Sequence, residues 1–279
     1  MNADYHIHTE FSDDSETPME DVVERAIQIG LDEICFTDHV DYGIKTDWKD
    51  SNEILWIQAI NQLNVNYPEY FDKIDSLETQ YRDRIQLRRG LEFGVQRHTT
   101  AQYDALFEKY RAKLDFILLS VHEIDDLEFW NQDFQRGKNQ EDYNLRYYRE
   151  LLAIVENFKN YSVLAHLDLL SRYDQCGVYP FEKVRDLVAA ILTQAIRDDK
   201  GLELNTSSWR YELADTSPSR AILRLYRDLG GRILTLGSDA HKPSQLADHF
   251  DDARAILRDE LGFKEICAFN KMTPCFHKI

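Results

Sequence analysis

Seven short apolar runs, separated by longer segments of helical character, leave this chain little choice of fold. They are Tyr5–Ile7, Ile34–Phe36, Ile85–Phe93, Phe116–Val121, Ser162–Ala165, Leu202–Leu204 and Ile233–Leu236. Apolar runs of this length read as strands buried on both faces, and parallel strands need a crossover of a dozen or more residues between them. The alternation therefore predicts repeated β/α units. The length of 279 residues fits one large domain or two small ones, and is ordinary for a single β/α barrel. No internal repeat, low-complexity tract or Gly/Ser linker divides residues 1–279, so a single domain is expected.

Punctuation supports the helices between the runs. In Thr17-Pro18-Met19-Glu20, Thr17 can cap, Pro18 suits a first turn and Glu20 can close a capping box. Ser217-Pro218 opens another helix, through Ala221, Leu225 and Leu229 to Gly230-Gly231, a permissive end. The longest break in the rhythm is residues 45–84, which reads as helical through Ile54, Ile57, Ile60 and Leu63 and again through Phe71, Ile74 and Leu77. This excursion of one β/α loop can either cover the mouth of a barrel or pack outside it.

Charge narrows the functional classes. With 33 Lys+Arg against 50 Asp+Glu, the net charge is −17, and no basic block or Arg-rich arm is present to neutralise a nucleic-acid backbone. No run approaches the roughly 18 apolar residues of a membrane span, and Met1–Ser12 carries Asp4, His6, His8 and Glu10 rather than a signal-peptide core. A cytoplasmic location is expected. Cys35, Cys176, Cys267 and Cys275 lack zinc-knuckle spacing and are too sparse for a disulfide scaffold, so they are expected as reduced thiols, with Cys35 a small buried hydrophobe.

The histidines carry most information. Six of nine, His6, His8, His39, His122, His166 and His241, fall within or just after the apolar runs, with Glu92 late in the third and Asp239 after the seventh. The C-terminal ends of barrel strands converge on one mouth, so residues over 200 positions apart can meet there. His6 and His8 stand at i and i+2 of a strand and share a face. One such pair is weak evidence, but strand after strand ending in a potential ligand points to metal. Mixed imidazole and carboxylate donors without thiolate suit Zn(II), Mn(II), Fe(II) or Co(II) better than the all-oxygen sites of Mg(II) or Ca(II).

In order along the chain stand Asp4-Tyr-His6-Ile-His8-Thr9, Thr37-Asp38-His39, Gly90-Leu-Glu92, Ser120-Val-His122, Ala165-His166-Leu-Asp168 and Gly237-Ser-Asp239-Ala-His241. With these motifs the chain resembles the polymerase and histidinol phosphatase (PHP) family over almost its whole length. Tyr5–Ser15 and Glu203-Leu-Asn-Thr-Ser207 are similar to the branch acting on L-histidinol phosphate. The resemblance implies a distorted (β/α)7 barrel with two to three metals at its mouth. It also implies release of L-histidinol and phosphate, a step of histidine biosynthesis. It places one metal on His6, His8, Glu92 and Asp239, a second on Glu92, His122 and His166, and a third on Asp14, His39 and His241. Glu92, Asp239 and His241 would belong to the catalytic set. Many relatives have histidine where this chain has Asp14, with Asp13 beside it, so either carboxylate is a candidate.

A phosphate monoester dianion repels anionic nucleophiles, and clustered divalent ions offset that charge while lowering the pKa of water. Arg172 and Arg210 sit on loops after the fifth and sixth runs, where a guanidinium fork can hold phosphoryl oxygens. They are the candidate substrate-binding and catalytic cations. Asp4, Asp38 and Asp168 are candidates for orienting imidazoles. Glu10, Asp41, Tyr42 and Trp48 are candidates for the amine and imidazole of the substrate. Three rival readings remain: another PHP-type phosphoesterase on a small ester or nucleotide, a C–N hydrolase on a related barrel, and a noncatalytic metal-binding module. Oligomeric state is not encoded in any motif.

Overall fold

The structure, a computed structural model, describes residues 1–48 and 63–279. In chain order the strands are β1 (Ala3–Asp4), β2 (Glu33–Phe36), β3 (His39–Val40), β4 (Gln86–Gly94), β5 (Phe116–Ser120), β6 (Glu123–Ile124), β7 (Leu127–Glu128), β8 (Val163–Leu164), β9 (Gly201–Asn205), β10 (Leu234–Gly237), β11 (Glu265–Asn270) and β12 (Thr273–Lys278). The principal helices are α1 (Met19–Gln28), α2 (Tyr67–Tyr81), α3 (Thr100–Tyr110), α4 (Gln140–Asn157), α5 (Phe181–Arg197), α6 (Ser207–Arg210), α7 (Arg220–Asp228) and α8 (Phe250–Ala255).

The main sheet runs β1-β2-β4-β5-β8-β9-β10, all parallel, with β3 also on β4. β3 continues β2 across a break at Thr37-Asp38, because Phe36 pairs with Arg89 and His39 with Glu92 in the same register. The last strand returns to the first. Tyr5 N–H donates to Leu236 O (3.0 Å), His8 N–H to Ala240 O (2.8 Å) and Ala240 N–H to His6 O (3.3 Å). Seven strands thus close into the distorted (β/α)7 barrel that the alternation and the family resemblance imply.

The period of two sorts the side chains into layers. Ile34, Phe36, Ile117, Leu119 and Leu164 join the large cluster shared with the helices. Their neighbours Cys35, Phe116, Leu118 and Val163 fill a second cluster with Tyr5 and Phe269. That cluster is the barrel interior, closed at its N-terminal end by the β11–β12 hairpin, where Tyr5 Oη accepts from Phe269 N–H (2.6 Å) and bonds Glu33. Toward the C-terminal end the interior turns polar: Glu92 stands in register with Leu118 of β5, and Glu203 with Thr235. Apolar packing at one end of the barrel and carboxylates at the other set where chemistry can occur.

Three local expectations change. Thr17 does not cap α1. Its hydroxyl donates to His241 O (2.9 Å), Pro18 takes the cap position, and Glu20 pairs with Lys73. Helix α7 begins two residues beyond Pro218, where the Ser219 side chain accepts from Ile222 N–H, and it ends as expected before Gly230, whose φ is +91°. Of the excursion, Ile54, Ile57 and Ile60 lie outside the described residues. Leu63 forms an extended bridge with Thr46 instead of a helical turn, while Phe71, Ile74 and Leu77 do lie on α2, buried in the outer core. Tyr70 of α2 donates to Gly90 O (2.8 Å), so this part packs outside the barrel against β4. Among the described residues no helix is long and apolar enough to cross a membrane. Cys35 is fully buried, and burial pushes its thiol well above the usual range.

Phe269→Ala removes the aromatic plug at the end away from the mouth. It is expected to cost about 3–5 kcal/mol in urea unfolding while leaving the number of metal ions bound per folded chain unchanged.

Candidate metal centre

Every histidine that the sequence places at a strand end arrives at one place. His6 Nε2 lies 3.2 Å from Glu92 Oε2 and 3.7 Å from Asp239 Oδ1; His8 Nε2 lies 3.5 Å and 3.4 Å from the same two oxygens. On the other side of Glu92, Oε1 is 3.2 Å from His122 Nε2 and 2.9 Å from His166 Nε2. His39 Nδ1 reaches Glu92 Oε2 at 3.1 Å. Asp14 Oδ2 lies 2.9 Å from His241 Nε2 and 3.5 Å from His39 Nε2. Asp13 points elsewhere, to Lys45 (2.6 Å), so of the two adjacent carboxylates Asp14 is the one that joins the cluster.

Donor atoms close enough to hold one cation occur as His6–His8–Glu92, as Glu92–His122–His166, and as His8–Asp14–His39–His241. His6–His166–Asp239 and His39–Asp41–His122 form two further such groups, so the same donors can be partitioned among cations in more than one way. His6 Nε2, His8 Nε2, His39 Nδ1 and Glu92 Oε2 are buried and make no hydrogen bond among the described residues. Buried polar atoms rarely go without partners. Four of them aimed at a common point fit a divalent ion with imidazole and carboxylate donors.

Electrostatics agree. Burial opposes charge on Glu92, yet His6, His122 and His39 outweigh it and hold the carboxyl well below its usual range. Asp239 is likewise depressed, burial being overcome by His6, His8 and Arg172. Burial, with His39 and His241 alongside, pushes His8 down to about 3, leaving a neutral imidazole of the kind that ligates metal. The carboxylates demand positive charge at this spot.

A second layer fixes the rings. Glu203 Oε1 bonds His6 Nδ1 at 2.6 Å, while its other oxygen accepts from His166 N–H at 2.9 Å. Asp41 Oδ1 bonds His122 Nδ1 at 2.8 Å, and Asp239 O bonds His241 Nδ1 at 3.0 Å. Two glycines make room: a Cβ at Gly94 would collide with Asp41, and one at Gly237 with Glu203. Asp239 (φ 54°) and His166 (φ 23°) sit in the left-handed region, costing on the order of 1–3 kcal/mol each. This strain falls on two members of the cluster.

Asp4, Asp38 and Asp168 do not touch the rings. Asp4 accepts from Ser238 and Ala247, Asp38 from Thr9 and Ser12, and Asp168 from Ser217 and Ser219; they anchor the loops that carry the donors. Burial pushes all three carboxyls up to about 6. The orienting role of Glu203 is not legible in sequence, because a Glu within an apolar strand gives no sign of its partner. Its one signal was that a charge inside a buried strand must be paired.

The cluster opens into a cavity of about 780 Å³. Arg172 and Arg210 both line it. Arg172 donates to Ser207 Oγ (2.6 Å) and Asp239 Oδ2 (3.2 Å), and Arg210 to Asp239 O (2.7 Å). Tyr211 packs against both, with guanidinium carbons 4.2 and 5.7 Å from its ring centre. Asp41 also lines the cavity, whereas Glu10 accepts from Met19 N–H and Tyr42 donates to Asp47. Further acidic and aromatic lining comes from Asp13 and Tyr173, and from Glu123, Glu128 and Trp130 on the segment after β5, residues that carry no motif.

A seven-stranded β/α barrel with a polynuclear imidazole–carboxylate cluster at the C-terminal mouth defines a metallohydrolase-type scaffold. The PHP domain model matches residues 4–207, and the chain belongs to the PHP domain family. It is 32% identical over 277 residues to the histidinol-phosphatase of Lactococcus lactis subsp. lactis, covering 96% of this chain and 94% of that protein. A probable histidinol-phosphatase of Thermotoga maritima is 26% identical over 91% of both chains. The crystal structure of the Lactococcus lactis histidinol phosphate phosphatase, complexed with zinc, L-histidinol and phosphate, superposes with a TM-score of 0.83 at 31% identity over 98% of each chain. A putative histidinol phosphatase of Listeria monocytogenes, at 19% identity and a TM-score of 0.74 over 90% of this chain and 99% of that one, shares the fold.

Glu203→Gln weakens the acceptor that orients His6 and is expected to lower metal affinity by about 10–100-fold, measured by competition with a chelating dye. Asp168→Asn, which touches no ligand-type ring, is expected to leave that affinity within about threefold of wild type.

Proposed function

We propose that this chain is a metal-dependent phosphomonoesterase that hydrolyses L-histidinol phosphate to L-histidinol and inorganic phosphate in histidine biosynthesis. The observation that carries the reading is the clustering of nine ligand-type side chains, seven of which line one cavity together with two arginines. It is supported by whole-length similarity to a phosphatase whose structure holds zinc, histidinol and phosphate.

His6, His8, Glu92 and Asp239 would hold one ion, Glu92, His122 and His166 a second, and Asp14, His39 and His241 a third. Divalent zinc, manganese, iron or cobalt there supplies charge for the phosphoryl oxygens and lowers the pKa of water. The protein's own part is placement. Arg172 and Arg210, held by Ser207 and the Ser238–Asp239 backbone, present guanidinium N–H groups to the phosphoryl oxygens. Glu92, Asp239 and His241 are assigned to the catalytic set on the family resemblance, and they line the cavity with Asp14, His39, His122 and His166. Asp41, Glu123, Glu128 and Trp130 give the cavity an acidic and aromatic lining suited to the ammonium and imidazole of the substrate. An acidic chain thus holds an anion through local charge, its cations being paired within the site. We further read the chain as one domain, working in the cytoplasm, where four unpaired cysteines remain reduced.

The test is phosphate release by zinc- or manganese-loaded protein. A kcat/KM for L-histidinol phosphate at least about a hundredfold above those for p-nitrophenyl phosphate and a dinucleotide is expected, within the ordinary enzymatic range. Turnover of the other esters with none of histidinol phosphate would move the chain to another phosphoesterase branch. Arg172→Ala and Arg210→Ala are each expected to raise KM and to lower kcat/KM by about 10–100-fold, the equivalent of one charged hydrogen bond, with metal content unchanged. Full activity in both would overturn the phosphate-binding assignment.

A further inference from the structure

Lys45 is a charged side chain buried to 9% exposure beside the cavity, on the loop after β3. Among the described lining residues it is the one lysine or arginine from the segments after β1, β3 and β5, whose acidic lining residues are Asp13, Asp14, Asp41, Glu123 and Glu128. Its ammonium is committed to two carboxylates, Asp13 Oδ1 at 2.6 Å and Asp41 Oδ2 at 2.8 Å. Asp41 uses its other oxygen on His122 Nδ1 (2.8 Å), and its backbone N–H donates to Asn64 Oδ1 (2.9 Å). The loop folds back so that Lys45 N–H donates to Asp41 O at 2.8 Å, fixing the spacing of the pair.

Two adjacent carboxylates thus meet different fates: Asp13 goes to Lys45 and Asp14 to His39 and His241. The Lys45 ammonium is the partner that Asp13 and Asp41 share, and His122 is the other partner of Asp41. We propose that Lys45 is a positioning residue that sorts these carboxylates: it draws Asp13 out of the cluster, leaves Asp14 as the donor facing His39 and His241, and holds Asp41 on His122. The proposal rests on the ligand reading given under Proposed function. Lys45 acts through Asp13 and Asp41 and needs no contact with substrate.

The experiment compares wild type, Lys45→Met, Lys45→Arg and Asp13→Asn, each loaded with zinc, dialysed against a fixed chelator concentration and assayed for zinc per chain alongside kcat and KM. Lys45→Met is expected to retain at least one zinc fewer than wild type and to lose about tenfold or more in kcat/KM. Lys45→Arg, which keeps the charge, should recover most of both. Asp13→Asn should hold the wild-type amount of zinc. The proposal is overturned by a wild-type zinc content in Lys45→Met at any activity, by equal depletion in Lys45→Arg, or by depletion in Asp13→Asn, which would make Asp13 itself a ligand. Should Lys45→Met fail to fold by circular dichroism, Lys45→Gln carries the same comparison. Zinc-free wild type would sink the ligand reading itself, whereas zinc-loaded wild type with equally loaded Lys45→Met would sink the clamp alone.

Discussion

One buried carboxylate organises the molecule. Glu92 is fully buried near the end of β4, and imidazoles from the segments carrying His6, His8, His39, His122 and His166 converge on its two oxygens within 3.5 Å. A lone carboxylate in such a place would be very costly, so it requires compensating positive charge. The barrel supplies the geometry for that compensation, because closing seven parallel strands brings their C-terminal ends around a single axis. Removing the charge demand at Glu92 would leave the surrounding rings buried without purpose.

The polar end depends on the apolar one. Tyr5, Phe116, Leu118 and Phe269 fill the interior below the carboxylates, so the strands are held at fixed spacing before the mouth has to bear strain. Above them, Gly94 and Gly237 give up side chains so that Asp41 and Glu203 can approach the rings, and Asp239 and His166 accept left-handed backbone. Loop anchors by Asp4, Asp38 and Asp168 tie down the turns that carry these residues. His6, His122 and His241 are held from behind by hydrogen bonds to Glu203, Asp41 and the Asp239 carbonyl, which fixes the direction of their other ring nitrogen.

The same logic explains how an acidic protein can present an anion-binding cavity. Arg172 and Arg210 are stacked on Tyr211 and held by the segments around Ser207 and Ser238, so their planes are set in advance. The net charge of −17 acts over distance only as far as screening allows, about 10 Å at ordinary ionic strength. Lys45 extends this local arrangement to the other loops, where the clustered carboxylates would otherwise compete for the same imidazoles.

The sequence alone determined the barrel and most of the cluster. Strand periodicity is a local property, and a histidine that ends an apolar run is visible without knowing its neighbours. His6, His8, His39, Glu92, His122, His166, Asp239 and His241 could therefore all be named as candidates. Partner choice was not legible, because it depends on which residues share a layer after closure. Only the tertiary structure assigned Glu203 to His6, Asp41 to His122, and Asp13 and Asp14 to opposite fates. It also diverted Thr17 from its expected helix cap to the His241 carbonyl. A hydroxyl or carboxylate next to a helix start or strand end has several satisfactory partners in sequence, and packing decides which one lies within 3 Å.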